Sequence, residues 1–516
     1  MKSKRESLLA GFRIRFGIII ASFVLLSGVE GVFQPLLVKS IFDQGVVKGN
    51  LHRFIVLAVI YLVLGLSING LTFLVSLKAK LLENRICIEV SSRMLQAFYK
   101  SNYSDILKRG EGYYISRIRD DVQIGLIPRL RLIISVSSQT ALVLGSSAVL
   151  IILSWQAFMV LLVVAPLTVV LANLLSKKIQ MITTDQREQT GKLLSTLTKA
   201  LSAFRIVNTF GMVSQTVDTV NAELAQALHL DFRSTRLLSL FQAANDVTMV
   251  TSDFISLFVG AVFVIRGKLS FGGYLAFVNS FWRAITTVLN ISNQALEFKR
   301  LGVIEERIRS FLDTEPKNDI LRGDDIDIRD ASFSYNEEDV LRNFSARVKA
   351  GERACLVGPN GSGKTTIANM LGRFLQPNDG KVSLPERVSV VTLPIAFPPL
   401  PIRSIPLNRQ LLTEFGLSDE GLLDAYPDSL SSGQLQKLAI ALSLSQDADL
   451  YVFDEPFANL DRASREVVSR RIDDLTRGKT VVLISHIHSE AATNFDHVIE
   501  LKPSIGRELD LEPSMG

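Results

Sequence analysis

Apolar residues are concentrated in the first 300 or so positions, where they form runs long enough to cross a bilayer. From about residue 322 the pattern changes to short β-like runs that alternate with helical segments, which is typical of an α/β domain. A multidomain protein is therefore predicted, with an all-α membrane domain of about six helices followed by an α/β domain. The predicted spans lie near residues 16–42, 54–77, 132–153, 156–175, 237–265 and 271–292.

Lysine and arginine are distributed unequally between the two sides of these spans. The long polar segments after the second and fourth spans are helical in pattern, and residues 78–119 of the first carry nine Lys and Arg residues. The opposite loops carry only Lys48, Arg53, Arg266 and Lys268. This bias predicts that the N-terminus and both long segments face the cytoplasm.

An amphipathic, charged segment over residues 300–316 ends at a proline and predicts a connecting helix. This helix lies between the apolar and the α/β parts of the chain, so we divide the chain into a transmembrane domain at 1–300, a linker at 301–321 and the α/β domain at 322–516.

Composition limits the partners and the cellular compartment that we expect for this chain. The chain has 516 residues, 47% of them hydrophobic, and a formal net charge of +5 without a basic stripe interleaved with aromatics, so no nucleic-acid partner is predicted. Only Cys87 and Cys355 are present, which favours a reduced environment. The basic N-terminus leads into the first apolar run without a small-residue cleavage site and predicts a retained helix.

Several polar residues fall inside the predicted spans, where such groups are costly and usually face a bundle interior. Two interpretations stay open. They line a water-filled cavity that contacts substrate, or they pair with one another, for instance Arg283 with one of the acids. The candidate cavity residues are Glu30, Asp246, Asp253, Asn279, Arg283 and Asn290.

The strongest chemical motif is residues 358–366 (GPNGSGKTT), which fits G-x-x-x-x-G-K-[ST] between a predicted buried strand and a helix. Its glycines let backbone N–H groups surround phosphate oxygens at a helix N-terminus. Lys364 would reach the β- and γ-phosphates, and Thr365 would hold Mg²⁺. The predicted nucleotide-binding residues here are Gly358, Asn360, Gly361, Ser362, Gly363, Lys364, Thr365 and Thr366.

A second motif follows downstream, where the apolar strand of residues 449–455 (DLYVFDE) ends in two acids. Asp454 would bind Mg²⁺, usually through water. Glu455 is placed to polarise an attacking water as general base.

Residues 430–434 (LSSGQ) lie between these motifs, and together the three resemble the signature of an ATP-binding cassette (ABC) transporter. The resemblance implies ATP and Mg²⁺ as ligands, with Ser431, Ser432, Gly433 and Gln434 on the nucleotide. It also implies that Tyr335 stacks on adenine, that residues 458–461 (ANLD) with Asp461 reach the partner cassette, and that His486 lies near the γ-phosphate.

The resemblance extends to the membrane half. Residues 112–121 (GYYISRIRDD), 267–274 (GKLSFGGY) and 304–308 (IEERI) are similar to segments of exporter-type ABC proteins. In that family a signature cannot reach its own phosphate loop. The resemblance therefore implies a second half-transporter chain, and C₂ self-association makes a homodimer the favoured arrangement over a heterodimer.

The sequence departs from the family pattern in three places. Leu393 stands where the family usually has a glutamine, and a leucine cannot contact Mg²⁺ or water. The stretch from Leu393 to Leu430 is short for the helical subdomain and contains a cluster of four prolines at residues 394–401. Ser432 replaces a usual glycine of the signature.

These features predict an ATP-driven exporter or flippase that works by alternating access in a lipid membrane, with ATP hydrolysis coupled to transport. Its substrate would be a peptide, a lipid or another small amphipathic molecule. A bacterial inner membrane is the expected location. Two alternatives follow from the departures: a subunit of a heterodimeric transporter, or a slowly hydrolysing, ATP-binding regulatory membrane protein.

Overall fold

The computed structural model describes residues 8, 11–156, 158–159, 162–163, 166, 189, 192–313, 320–335, 338–485 and 495–501. The chain divides into two compact units. The first comprises residues 1–96 and 115–313, and the second comprises residues 97–114 and 314–516.

The first unit is helical. Its long helices are α1 (Arg13–Ser40), α2 (Leu51–Lys100), α5 (Ile127–Leu153), α7 (Val213–Ile265) and α8 (Phe271–Leu312), and a short α6 covers Phe204–Thr209. Wider π-helical turns extend α1 over Ile41–Val46 and precede α5 over Ser116–Leu126. The 50 residues of α2 and 53 of α7 exceed the ~20 that cross a bilayer.

Four helices in the described part of the chain are long and apolar enough to cross a membrane: Arg13–Val46, Leu51–Lys100, Glu111–Leu153 and Asp246–Ile265. The predicted fourth span, 156–175, lies almost entirely outside the described residues. The predicted sixth span coincides with the first half of α8, which is helical but not among the four apolar segments.

Close helix packing in the first unit depends on small residues. A Cβ at Gly31 of α1 would lie 3.0 Å from the Leu142 carbonyl oxygen, and one at Gly145 of α5 would lie 3.1 Å from the Gly28 carbonyl oxygen. Glycine at these positions lets the two backbones approach closely, and van der Waals packing of this kind stabilises helix pairs in lipid.

Two of the segments that resemble exporter-type proteins, residues 112–121 and 304–308, contact each other in the first unit. Buried Asp121 accepts hydrogen bonds from Arg117 at 3.0 Å and from Arg307 of α8 at 2.6 Å. Arg129 and Arg309 both pair with Glu305 of α8. These ion pairs connect the start of α5 and the turns before it to the C-terminal end of α8.

The second unit contains two sheets. One has the strand order β1-β5-β2-β3, and the other is parallel with the order β6-β7-β8-β4-β9. The strands are β1 (Leu321–Arg322), β2 (Ile326–Tyr335), β3 (Glu338–Val348), β4 (Arg353–Val357), β5 (Asp379–Leu384), β6 (Val388–Val391), β7 (Leu450–Asp454), β8 (Thr480–Ser485) and β9 (His497–Glu500).

Helices of the second unit pack around the parallel sheet, whose central strands are buried. Its first short helix, Tyr103–Arg109, packs through Tyr103 on Phe374, with ring centroids 5.9 Å apart. The proline-rich segment after β6 is largely coil, and only short helices intervene before the helix that begins at Ser432. The helices are α3 (Tyr103–Arg109), α4 (Glu111–Ile115), α9 (Lys364–Leu371), α10 (Arg409–Glu414), α11 (Glu420–Leu423), α12 (Ser432–Leu444) and α13 (Arg462–Leu475).

Candidate functional site

The phosphate loop leaves the carboxyl end of buried strand β4 and enters α9, where ligands bind in open parallel sheets. Gly361 and Gly363 have φ values of +79° and +91°, which side chains with a Cβ rarely adopt. A Cβ at Gly358 would lie 2.8 Å from the Leu501 carbonyl oxygen. The loop therefore needs glycine at these positions, and it leaves the α9 N-terminus without a side-chain cap.

Lys364 is buried within this loop. Its Nζ donates to the carbonyl oxygens of Gly358 at 2.8 Å and Pro359 at 2.9 Å. Burial lowers the pKa of Lys364, and the negative charges of Glu455 and Asp454 act in the opposite direction. The buried Ser362 hydroxyl, by contrast, has no hydrogen-bond partner among the described residues. A cation, an unpartnered hydroxyl and an uncapped helix end suit an anionic ligand.

Thr365 and Asp454 come together from α9 and the end of β7. The Thr365 hydroxyl donates to Asp454 Oδ2 at 3.3 Å, and Asp454 is 2% exposed. Hydroxyl and carboxylate oxygens are ligands that Mg²⁺ prefers, so Thr365 and Asp454 would hold the ion, directly or through water. No cluster of three His, Cys, Asp or Glu side chains occurs in the described part of the chain. A bound Mg²⁺ would thus take its other oxygens from nucleotide and water.

Glu455 follows directly in a strained conformation, with φ at +49°. Its backbone N–H donates to the Ile484 carbonyl oxygen at 2.9 Å. Its own carbonyl oxygen accepts a 2.7 Å hydrogen bond from Nε2 of Gln436. The backbone on both sides of the Glu455 side chain is therefore fixed.

Gln436 is a residue that the sequence reasoning missed. It is fully buried on α12, and its Oε1 accepts a 3.0 Å hydrogen bond from Asn459 Nδ2. A Cβ at Gly433 would lie 2.7 Å from the Asn459 carbonyl oxygen, so α12 packs tightly on the loop after β7. The available signal was a second amide, two residues after Gln434, on a helix whose later positions are mostly apolar.

The signature serine and Asp461 both occupy N-cap positions. Ser431 and Gln434 form a reciprocal capping box on α12, with hydrogen bonds of 3.3 Å and 3.0 Å. Asp461 accepts from the Ser464 N–H at 2.7 Å, and this hydrogen bond lowers the pKa of Asp461. Ser431, Ser432 and Asp461 are exposed, so their surfaces are open to a ligand or partner.

The remaining predicted nucleotide residues surround the loop. Tyr335, at the end of β2, packs edge-on against Phe333 at 4.8 Å, and burial raises its pKa although its hydroxyl is hydrogen-bonded to Thr366. Asn360 is exposed in the loop. His486 lies outside the described residues. Leu393 is half-buried just after β6, the neighbour of β7 in the sheet.

The candidate cavity residues separate into two groups. Arg283 of α8 donates to Glu30 at 3.1 Å and to Gln34 at 2.7 Å, both on α1. Asp246, Asn279 and Asn290 are exposed and Asp253 is half-buried. The structure thus contains the pairing that the sequence left open for Arg283, and a cavity role for the others stays a prediction.

Comparisons with known proteins agree on the family. The family described as "ABC transporter transmembrane region" matches residues 17–288, and "ABC transporter" matches residues 341–396 and 407–458. One solved structure, "Structure of a bacterial Atm1-family ABC exporter with ATP bound", superposes with a TM-score of 0.78 at 17% identity, covering 96% of this chain and 95% of that one. The predicted fold class, a helical membrane domain followed by an ABC ATPase domain, is confirmed.

Curated relatives share similarity over most of their length. "ATP-dependent lipid A-core flippase" of Syntrophus aciditrophicus (strain SB) is 24% identical, covering 93% of this chain and 86% of the relative. The proteins of the same name from Vibrio cholerae serotype O1 and Escherichia coli O6:K15:H31 are 22% and 23% identical, each covering 91% of this chain and 88% of the relative.

The first family match alone covers more than half of the 516 residues, and the second covers the phosphate loop, the signature and the Asp454–Glu455 strand end. The predicted activity, ATP hydrolysis coupled to export or flipping across a membrane, is confirmed at this level. The chain belongs to the ABC transporter family, as an integral membrane ATPase of the exporter type.

Proposed function

We propose that this chain is one half of a homodimeric ABC exporter that moves an amphipathic lipid across a bacterial inner membrane. The observation that carries the proposal is the convergence of Lys364, the Thr365–Asp454 pair and Glu455 at the carboxyl ends of β4 and β7. The proposed division is a membrane domain at 1–300, a linker at 301–321 and an ATP-hydrolysing domain at 322–516.

Nucleotide binding would change the partners of Lys364. In the structure its ammonium group contacts two loop carbonyls, and the β- and γ-phosphates of ATP would offer it charged acceptors instead. Ser362 and the backbone N–H groups that begin α9 would complete the phosphate site. Thr365 and Asp454 would hold Mg²⁺, which supplies charge neutralisation at the transferred phosphoryl group.

Glu455 would act as the general base towards an attacking water. Its fixed backbone directs where the carboxylate lies, since the Ile484 and Gln436 hydrogen bonds leave little freedom on either side. Tyr335 as the adenine contact and His486 as a γ-phosphate contact are proposed on the family resemblance.

Dimerisation follows from the exposed signature. Ser431, Ser432 and Gly433 begin α12, and we propose that they cover the ATP held by Lys364 of a second copy, with Gln434 and Asp461 nearby. One chain carries both halves of this composite site, which favours a homodimer. A heterodimer is the second candidate, because Leu393 lacks the polar groups of the usual glutamine and a different partner chain could supply them.

A lipid substrate is proposed because the curated relatives are named as lipid A-core flippases. The Lys and Arg bias places the N-terminus and the second unit in the cytoplasm. The residues proposed to face the substrate are those whose side chains bond to no other side chain among the described residues: Asp246, Asp253, Asn279 and Asn290.

Proteoliposomes test this proposal. The purified chain would be reconstituted with a lipid labelled on its headgroup, and chemical bleaching of the outer leaflet would report its movement after ATP is added. We expect ATP-dependent movement that Glu455→Gln abolishes. Movement that is equal in the parent and Glu455→Gln would refute ATP-driven flipping, whereas ATP hydrolysis without movement of any lipid tested would refute the substrate class alone.

A further inference from the structure

A cationic cleft lies between α1 and α2 in the first unit. Its volume is about 310 Å³. Ile19 and Leu82 form a buried floor, and Ile18 and Leu81 are more than 60% exposed at its edge. The other lining residues are Arg15, Lys78 and Arg85.

The three cations of this cleft lack a built-in counter-charge. All three are exposed, no acid lines the cleft, and none has a carboxylate partner within the described residues. A nearby cavity of about 380 Å³ provides the contrast. There Arg131 donates to the buried carboxylate of Glu83 at 2.8 Å and 2.6 Å. Of these two cavities, the cleft lined by Arg15 is therefore the one whose positive charge is available to an external anion.

Both helices reach the boundary of the apolar layer at this cleft. Residues 54–77 of α2 contain no charged side chain, and Lys78 is the first after them. On α1, Arg15 is the last charged residue before the uncharged run 16–29. Cations at a membrane boundary next to exposed apolar side chains match the two ends of a phospholipid.

We propose that this cleft binds the headgroup of an anionic phospholipid from the cytoplasmic leaflet. The phosphate lies between the Arg15 and Arg85 guanidinium groups and the Lys78 ammonium group, and the acyl chains run along Ile18 and Leu81. The leaflet assignment rests on the topology in the proposed function. The bound lipid is a structural ligand and is independent of ATP.

Fluorescence quenching beside the cleft tests the proposal. A bimane label at Leu81→Cys, in a Cys87→Ser, Cys355→Ala background, would be measured in phosphatidylcholine nanodiscs without ATP. Two nanodisc samples are compared: one contains brominated phosphatidylglycerol, and the other contains the same fraction of brominated phosphatidylcholine. We expect the phosphatidylglycerol to associate at least roughly fivefold more strongly, the contribution of about one cation near a membrane surface. The same label at Leu62→Cys, in the middle of α2, gives the background preference.

Charge variants make the test specific. Arg15→Gln/Lys78→Gln/Arg85→Gln should abolish the preference, while the charge-retaining Arg15→Lys/Arg85→Lys should keep most of it. The matched control is Lys48→Gln/Arg53→Gln/Arg266→Gln, which removes the same charge outside the cleft and should change nothing.

Three results would overturn the proposal. The first is equal quenching by the two lipids at Leu81→Cys, as expected if protein covers the cleft. The second is a preference that survives the triple glutamine variant. The third is displacement of the lipid by soluble glycerol phosphate, which would make the ligand a free phosphate compound. Because ATP is absent from every arm, failure of lipid transport would leave these results unaffected.

Discussion

The side-chain amide nitrogen of Gln436 donates a 2.7 Å hydrogen bond to the backbone carbonyl oxygen of Glu455. The same side chain accepts from Asn459, so one buried amide connects α12, the end of β7 and the loop that follows. Glu455 has a left-handed backbone that costs on the order of 1–3 kcal/mol unless its surroundings hold it. Gln436 thus links the signature helix to the proposed general base within one chain.

Replacing Gln436 by leucine should slow hydrolysis more than it weakens ATP binding. The half-buried Glu455 carbonyl would lose a partner, whereas the exposed Asn459 amide can bond to water, so we expect a loss of about 0.5–1.5 kcal/mol of stability. A displaced Glu455 carboxylate would lower kcat by roughly 10- to 100-fold. Steady-state ATPase kinetics and the thermal midpoint measure both effects.

Gln410→Leu is the control, because Gln410 is exposed on α10 and its side-chain amide donates to Glu414 at 3.1 Å. It should leave kcat unchanged. A Gln436→Leu variant with a lowered thermal midpoint but parental kcat would show that this amide is structural and does not position Glu455.

ATP binding should take up a proton at alkaline pH through Lys364. Burial lowers the pKa of this lysine in the nucleotide-free chain below its ordinary value of 10.5, and the phosphates of ATP raise it again. Between the two pKa values the bound state holds more protons, so ATP affinity falls as pH rises through that window.

Calorimetric titration of ATP in buffers of different ionisation enthalpy measures this proton uptake. Lys364→Met should bind ATP weakly with no uptake. The same uptake in the parent and in Lys364→Met would assign the proton to another group.

The sequence predicted the parts of the site that depend on local pattern. The phosphate loop and the Asp454–Glu455 pair follow buried strands β4 and β7. Both strands pair in parallel with β8, so their carboxyl ends lie at the same edge of the sheet. Gln436 was not predicted, because an amide side chain on a helix is ordinarily exposed to solvent. Whether Gln436 is buried depends on how α12 packs against the rest of the domain. The Glu30–Arg283 pair joins residues 253 apart in sequence, so only the helix packing could decide it.

The positions of the helices could likewise be predicted from local sequence, whereas the faces that they bury could not. Apolar content predicted a span at 54–77, and α2 continues from there to Lys100, as the helical pattern of the polar segment indicated. The exact face that each helix presents is set by packing, for example at Gly31 and Gly145, where backbone approach requires the absence of a side chain.

Two inactive variants should restore each other if the ATP site is shared between copies. Lys364→Ala and Ser431→Glu would each be inactive alone, because both sites of either homodimer lose an essential group. A mixed dimer, isolated with two affinity tags, keeps one intact site and should show about half the parental turnover. A mixed dimer without turnover would mean that Lys364 and Ser431 serve the same site in one chain.

Glu30 and Arg283 should behave as a coupled pair. Removing one partner leaves a charge in an apolar environment, so Glu30→Leu and Arg283→Leu should each lower the thermal midpoint. The double variant should lose less than the sum, with a coupling of about 0.5–3 kcal/mol. Additive losses would refute the pairing. Loss of transport in a stable double variant would instead indicate that Arg283 contacts the substrate.

We would first measure ATPase turnover of this chain purified alone in lipid, beside Glu455→Gln. We expect turnover in the parent and a loss of at least roughly 100-fold in Glu455→Gln, the contribution of a general base, with ATP still bound. Leu393→Gln serves as the companion variant and should remain active. Equal turnover in the parent and Glu455→Gln would contradict the mechanism, and no turnover in the parent would contradict the homodimer.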